Sequence, residues 1–115
     1  MRIRLDPLDK LFSRYIKLRD KYCQRCGRSN SLQTAHLIGR RNHAVRYDPD
    51  NACLLCFYDH QYFHENPLEL VEFFKARLGE EGFDMLNNRA RITYPKPDKQ
   101  AIELYLEEQI KLLEV

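Results

Sequence analysis

Apolar residues recur at helical spacing from the start of the chain. Leu8, Leu11, Phe12, Tyr15 and Leu18 fall three or four positions apart and make one stripe. Asp6 stands directly before Pro7, an acceptor side chain followed by a residue with a preset φ, which predicts a helix beginning there. Lys10, Arg14, Lys17 and Lys21 lie largely off the stripe and give that helix a basic side. Leu32 to Ile38 predicts a short strand. Val45-Arg46-Tyr47 predicts a second strand or extended stretch, beyond the polar loop Gly39-Arg40-Arg41-Asn42-His43. Asp48-Pro49-Asp50-Asn51 is a turn signal. From Ala52 to about Glu65 the pattern permits a helix, which sets His60 and His64 on one face. Asn66 as N-cap, Pro67 and a capping-box Glu69 predict the next helix, with Leu70, Phe73, Phe74 and Leu78 inward and Gly79 ending it. Glu80 to Ala90 reads as a further short helix with Phe83 and Leu86 inward. Tyr94-Pro95-Lys96-Pro97 breaks the pattern. A last helix, Asp98 to Glu114, carries Ile102, Leu106, Ile110 and Leu113 on a face that would pack on the domain or pair with a second copy.

The fold class this predicts is α+β: a small strand–strand–helix unit among flanking helices. Residues 1–94 form the domain, and residues 95–115 are a linker and C-terminal helix. At 115 residues the chain can bury a modest core, and a metal staple would help it. No apolar run approaches the roughly 20 residues that span a bilayer, and no apolar signal segment follows Met1, so the expected location is the cytoplasm, with no membrane partner.

Charge sharpens the picture. The net charge is only +2, but residues 1–46 carry twelve Lys/Arg against three Asp/Glu, and residues 47–115 carry seven against fourteen. A basic half beside an acidic half suits a polyanion on one face.

The candidate chemistry is concentrated in one stretch. All four cysteines and all four histidines lie between Cys23 and His64. Two C-x2-C pairs without a secretion signal favour zinc over disulfides. Cys23-Gln24-Arg25-Cys26-Gly27 is a zinc knuckle, with the glycine allowing the tight turn that brings two thiolates onto one ion. No βαβ pattern surrounds it, which argues against a thioredoxin-like redox role. Thiolates are the better structural zinc ligands, and Cys23, Cys26, Cys53 and Cys56 supply four.

His36 precedes Asn51 by fifteen residues, Asn51 precedes His60 by nine, and His60 precedes His64 by four. A histidine at a strand edge suits a general base near neutral pH. Two histidines one helical turn apart can grip a divalent ion and leave positions open for phosphate and water. His43 reads as an ordinary loop residue.

This order of residues, threaded between knuckle cysteines, resembles the His-Asn-His (HNH, ββα-metal) endonucleases over residues 21 to about 66. Leu32-Gln33-Thr34-Ala35-His36, the arginine-rich loop, Arg46-Tyr47-Asp48 and Asn51 look most like the phage recombination endonucleases of the NinG/Rap type. The resemblance implies metal-dependent hydrolysis of DNA phosphodiesters that leaves 5′-phosphate and 3′-hydroxyl ends. It implies His36 as the base, Asn51 holding the loop that aims it, and Arg40, Arg41 and Arg46 on phosphates. The substrate implied is branched recombination DNA, or duplex nicked during genome packaging, in a bacterial host cell. A homodimer joined through helices would suit a junction cutter.

Two departures bear on that reading. Many family members carry a second metal-binding residue just before the base, where this chain has Ala35. The ion would then have two protein ligands, which suits loosely bound Mg²⁺ or Mn²⁺, while imidazoles favour softer ions such as Ni²⁺. The family register would also pair Cys56 with position 59, which is Asp59, so zinc is held with either Cys53 or Asp59 as the fourth ligand. Ala35 is the best support for an alternative function, a zinc-stabilised DNA-binding module without catalysis.

Overall fold

The computed structural model describes residues 6–114; the N-terminal stretch read above for a leader lies outside them. The order is α1 (Pro7–Asp20), β1 (Leu32–His36), a 3-10 turn (Pro49–Asn51), β2 (Ala52–Cys56), α2 (Phe57–Glu65), α3 (Pro67–Ala90) and α4 (Lys99–Glu114). The fold is α+β, with four helices and one two-stranded antiparallel sheet among the described residues. The strands pair from Leu32 opposite Cys56 to His36 opposite Ala52.

The sheet is covered on both faces. Ala52 and Leu54 join Leu8, Phe12, Tyr15 and Ile16 of α1 and Leu106 and Ile110 of α4 in one buried cluster. Cys53 and Leu55 face the other way, into a cluster with Ala35, Phe63 and Phe74. A strand buried on both faces shows no alternation and reads as a continuous apolar run. That is why the predicted helix over Ala52 to Glu65 divides in the structure into a strand followed by the nine-residue α2. The second strand expected at Val45-Arg46-Tyr47 is a turn instead. Its backbone is committed elsewhere: the Val45 carbonyl accepts from the Asp48 N–H at 3.1 Å and from Asn51 Nδ2 at 3.0 Å.

Helix α1 starts as its sequence indicates, with Asp6 accepting from the Leu8 N–H at 2.7 Å. Its last turn is tied to β2. Arg19 donates to the carbonyls of Pro49 and Ala52, and Asp20 accepts from the Leu54 N–H, all at 2.9 Å. These bonds satisfy backbone groups that the free edge of β2 would otherwise leave unpaired. Helix α3 breaks at Gly79, whose φ of +77° is open to glycine without strain. The predicted Asn66 cap does not form. Asn66 Nδ2 donates to the Tyr62 carbonyl at 2.8 Å, closing the end of α2, and Glu69 accepts the Tyr62 hydroxyl. Helix α4 packs on α1 through Ile102, Leu106 and Ile110, while Leu113, predicted inward, is 43% exposed. No described helix is long and apolar enough to cross a membrane.

Candidate functional site

The knuckle is a tight turn in which the Cys23 N–H donates to the Arg28 carbonyl and the Gly27 N–H to the Cys23 carbonyl, each at 2.9 Å. Gly27 has a φ of +79°. The Gln24 N–H donates to the Leu54 carbonyl at 2.9 Å, docking this turn on the outer edge of β2. Cys56 ends β2 and is the N-cap of α2, and its Sγ lies 3.5 Å from the Asp59 N–H. One helical turn thus sets Asp59 beside Cys56, opposite the knuckle.

The result is a cluster of Cys23, Cys26, Cys56 and Asp59, with all four ligating atoms within 4.8 Å of one another. Zinc–sulfur bonds of about 2.3 Å in a tetrahedron put sulfurs roughly 3.8 Å apart and a sulfur and an oxygen roughly 3.6 Å apart. Cys26 and Cys56 Sγ are separated by 3.7 Å, and Cys56 Sγ lies 3.5 Å from Asp59 Oδ2. Cys23 Sγ is 3.1 Å from the same oxygen. The donor set fits a tetrahedral ion such as zinc. Arg25 takes the other carboxylate oxygen, Oδ1, at 2.7 Å, so a single oxygen is presented to the thiols. Desolvation raises the Asp59 pKa, but hydrogen bonds from Cys26, Cys23, Arg25 and Cys56 outweigh it and hold the carboxyl at about 2.

Cys53 is not in this cluster, which corrects the four-cysteine expectation. In a strand, residues three apart point to opposite faces. Cys53 sits mid-strand opposite Ala35, fully buried among apolar side chains, and that burial pushes its thiol up to about 12. Cys56 escapes the alternation because the chain turns there into α2.

His36 closes β1 at the other end of the sheet. Its ring lies against Phe12, with centroids 5.6 Å apart, and its Nε2 is 3.0 Å from the Arg46 carbonyl. A carbonyl only accepts, so Nε2 carries the proton and Nδ1 keeps its lone pair. Burial lowers the His36 pKa; the Arg46 carbonyl bond opposes this, and the nearby Arg40 cation reinforces it. Asn51 is completely buried and holds the loop between the strands at two points. Its Oδ1 accepts from the Ile38 N–H at 2.8 Å, and its Nδ2 donates to the carbonyls of Ile38 at 2.8 Å and Val45 at 3.0 Å.

His60 and His64 line a cavity of about 230 Å³ with Gln33, Phe57 and Gln61. His60 is half-buried and His64 exposed, and His60 Nδ1 lies 2.6 Å from Gln33 Oε1. Desolvation, reinforced by His64, lowers the His60 pKa and favours the neutral ring. Among the described residues, no third His, Cys, Asp or Glu ligand atom joins these two histidines.

The three candidate phosphate-binding arginines differ. Arg46 is bound to the buried Asp9 of α1, its Nε 3.0 Å from Oδ1 and its Nη2 2.5 Å from Oδ2. Arg40 lies 3.7 Å from the same carboxylate and is half exposed, and Arg41 is exposed. With His43 these residues border an open hollow of about 310 Å³. Sequence reasoning gives Asp9 and Arg25 no site role, and it finds in Gln33 no replacement in kind for the ligand missing at Ala35. A signal existed for two of them. Asp9 is an acid beside the apolar stripe of α1, and Gln33 shares the strand face of Ala35. Arg25 carried none. In comparisons with known proteins, no family model, no curated protein and no solved structure matches this chain.

Proposed function

We propose that the chain is a metal-dependent endonuclease of the HNH type acting on DNA. The observation that carries this reading is His36, which has one ring nitrogen bound to the Arg46 carbonyl and the other free, beside a loop clamped by Asn51. Such a ring can take a proton from water at Nδ1 without reorienting. His36 stands at the end of β1, Asn51 directly before β2 and His60 on α2, which is the chain order that the reading expects. Arg41 is exposed to phosphates, half-exposed Arg40 reaches them by giving up its 3.7 Å contact with Asp9, and Arg46 fixes the carbonyl that aims His36 through its own pairing with Asp9.

His60 and His64 would hold a divalent ion, which supplies a Lewis acid for the phosphate and its leaving oxygen. Two imidazoles fit Ni²⁺ and other borderline ions best, and Mn²⁺ accepts them more readily than Mg²⁺ does. The Cys23, Cys26, Cys56 and Asp59 cluster would hold zinc and keep the knuckle on α2.

A second reading is a zinc-stabilised DNA-binding module without catalysis. Its support is the lack of a third ligating side chain beside His60 and His64 among the described residues, with buried Ala35 nearby on the strand. Incubating supercoiled plasmid, a four-way junction and a linear duplex with each divalent ion separates the two. Metal-dependent cleavage lost in His36→Ala establishes the nuclease. Salt-sensitive binding with no cleavage of any substrate establishes the module.

A further inference from the structure

We infer that Gln33 is a positioning residue for a divalent ion held by His60 and His64, an inference that rests on the reading of those two histidines as its ligands. Gln33 and Ala35 share one face of β1, the face on which α2 packs. Ala35 offers only a methyl group. Gln33 is long enough to reach α2, and its Oε1 lies 2.6 Å from His60 Nδ1.

The chemistry of that contact is directional. An amide oxygen accepts and cannot donate, so the proton of neutral His60 sits on Nδ1. The Nε2 lone pair is then the one left for an ion, and the bond restrains the His60 ring on α2, with His64 one turn further along. Gln33, His60 and His64 border one cavity, so the amide that restrains the His60 ring and both imidazoles lie around the same space. Where a third ligand is missing, fixing the first two in advance lowers the cost of ordering them around the ion.

The test uses the full zinc-loaded chain and reads Mn²⁺ affinity by calorimetric titration, with no DNA present. Gln33→Leu keeps a strand-compatible side chain and removes the acceptor. It should weaken Mn²⁺ binding ten- to a hundredfold. Gln33→Glu restores an acceptor for the same proton and should recover wild-type affinity. Nitrogen shifts of the His60 ring should report protonated Nδ1 in the wild type and a tautomer mixture in Gln33→Leu, a change that a purely structural strut would not produce. Wild-type Mn²⁺ affinity in Gln33→Leu, or Gln33→Glu binding no better than Gln33→Leu, overturns the inference alone. An unchanged affinity in His60→Ala overturns the metal-ligand reading beneath it as well.

Discussion

Asn51 pairs with both backbone polar groups of Ile38, accepting from its N–H and donating to its carbonyl, each at 2.8 Å. A third bond to the Val45 carbonyl ties in the far side of the loop. Replacement by Asp removes both donated bonds and turns a carboxylate toward two carbonyl oxygens. Replacement by Ala leaves the part-buried N–H and carbonyl of Ile38 without partners and the Val45 carbonyl with the Asp48 N–H alone. Each variant should lose about 2–4 kcal/mol of stability, measured by urea unfolding. Cleavage should fall further than the unfolded fraction explains, because the loop also carries Arg46, whose carbonyl binds His36.

The cluster geometry makes opposite predictions for two neighbouring cysteines. Cys53→Ala should leave zinc stoichiometry at one per chain, since Cys53 lies outside the ligand set and only packs. Cys56→Ala should lose the metal and, with it, the docking of the knuckle on α2. Asp59→Cys should bind zinc more tightly than the wild type and resist chelator longer, because a thiolate is the better ligand. Metal content after dialysis against a chelator checks all three. Zinc loss from Cys53→Ala with Cys56→Ala unaffected would reverse the assignment.

Arg46 and Arg41 should separate cleanly in experiment. Arg46→Ala leaves Asp9 buried with only the longer contact to Arg40, and should cost about 1–3 kcal/mol in stability. Arg41→Ala removes an exposed cation and should leave unfolding unchanged. It should instead weaken DNA binding at low salt and reduce the slope of log affinity against log salt by about one. Equal behaviour of the two variants in both assays would contradict the division of roles drawn from the ion pairs.

Much of this arrangement was legible in the sequence, and two of the failures share a physical source. The stripe of α1, the break at Gly79 and the reach of α4 follow from local periodicity and backbone preference, which a sequence carries directly. Ala52 to Cys56 carries no strand signal because the sheet is covered on both faces, and continuous burial erases the alternation that marks a strand. The fourth ligand turned on the same point. With Cys53 and Cys56 in a helix, both thiols would sit one turn apart; with a strand ending at Cys56, they part and Asp59 takes the place. The Arg46–Asp9 and His60–Gln33 contacts depend on how α1 and α2 dock, which no local pattern encodes.

His36 yields a prediction whose sign follows from its surroundings. Burial, opposed by the Arg46 carbonyl bond, holds its pKa below the ordinary 6.5. The base acts in its neutral form, so the acid limb of kcat/KM should lie below pH 6.5, with activity falling as pH drops through the folded-state pKa. His36→Ala should lower cleavage by about a hundred- to ten-thousandfold and remove that limb. Stability moves in the same direction. An unfolded chain takes up the proton first as pH falls, so between the unfolded and folded pKa values it binds more protons than the native state. The contribution of neutral His36 is therefore complete above about pH 6.5 and declines below it. Arg40→Ala removes a cation that disfavours protonation and should move the limb upward, toward the ordinary value. A limb above pH 7 in the wild type, or one that persists in His36→Ala, would show that another group is the base.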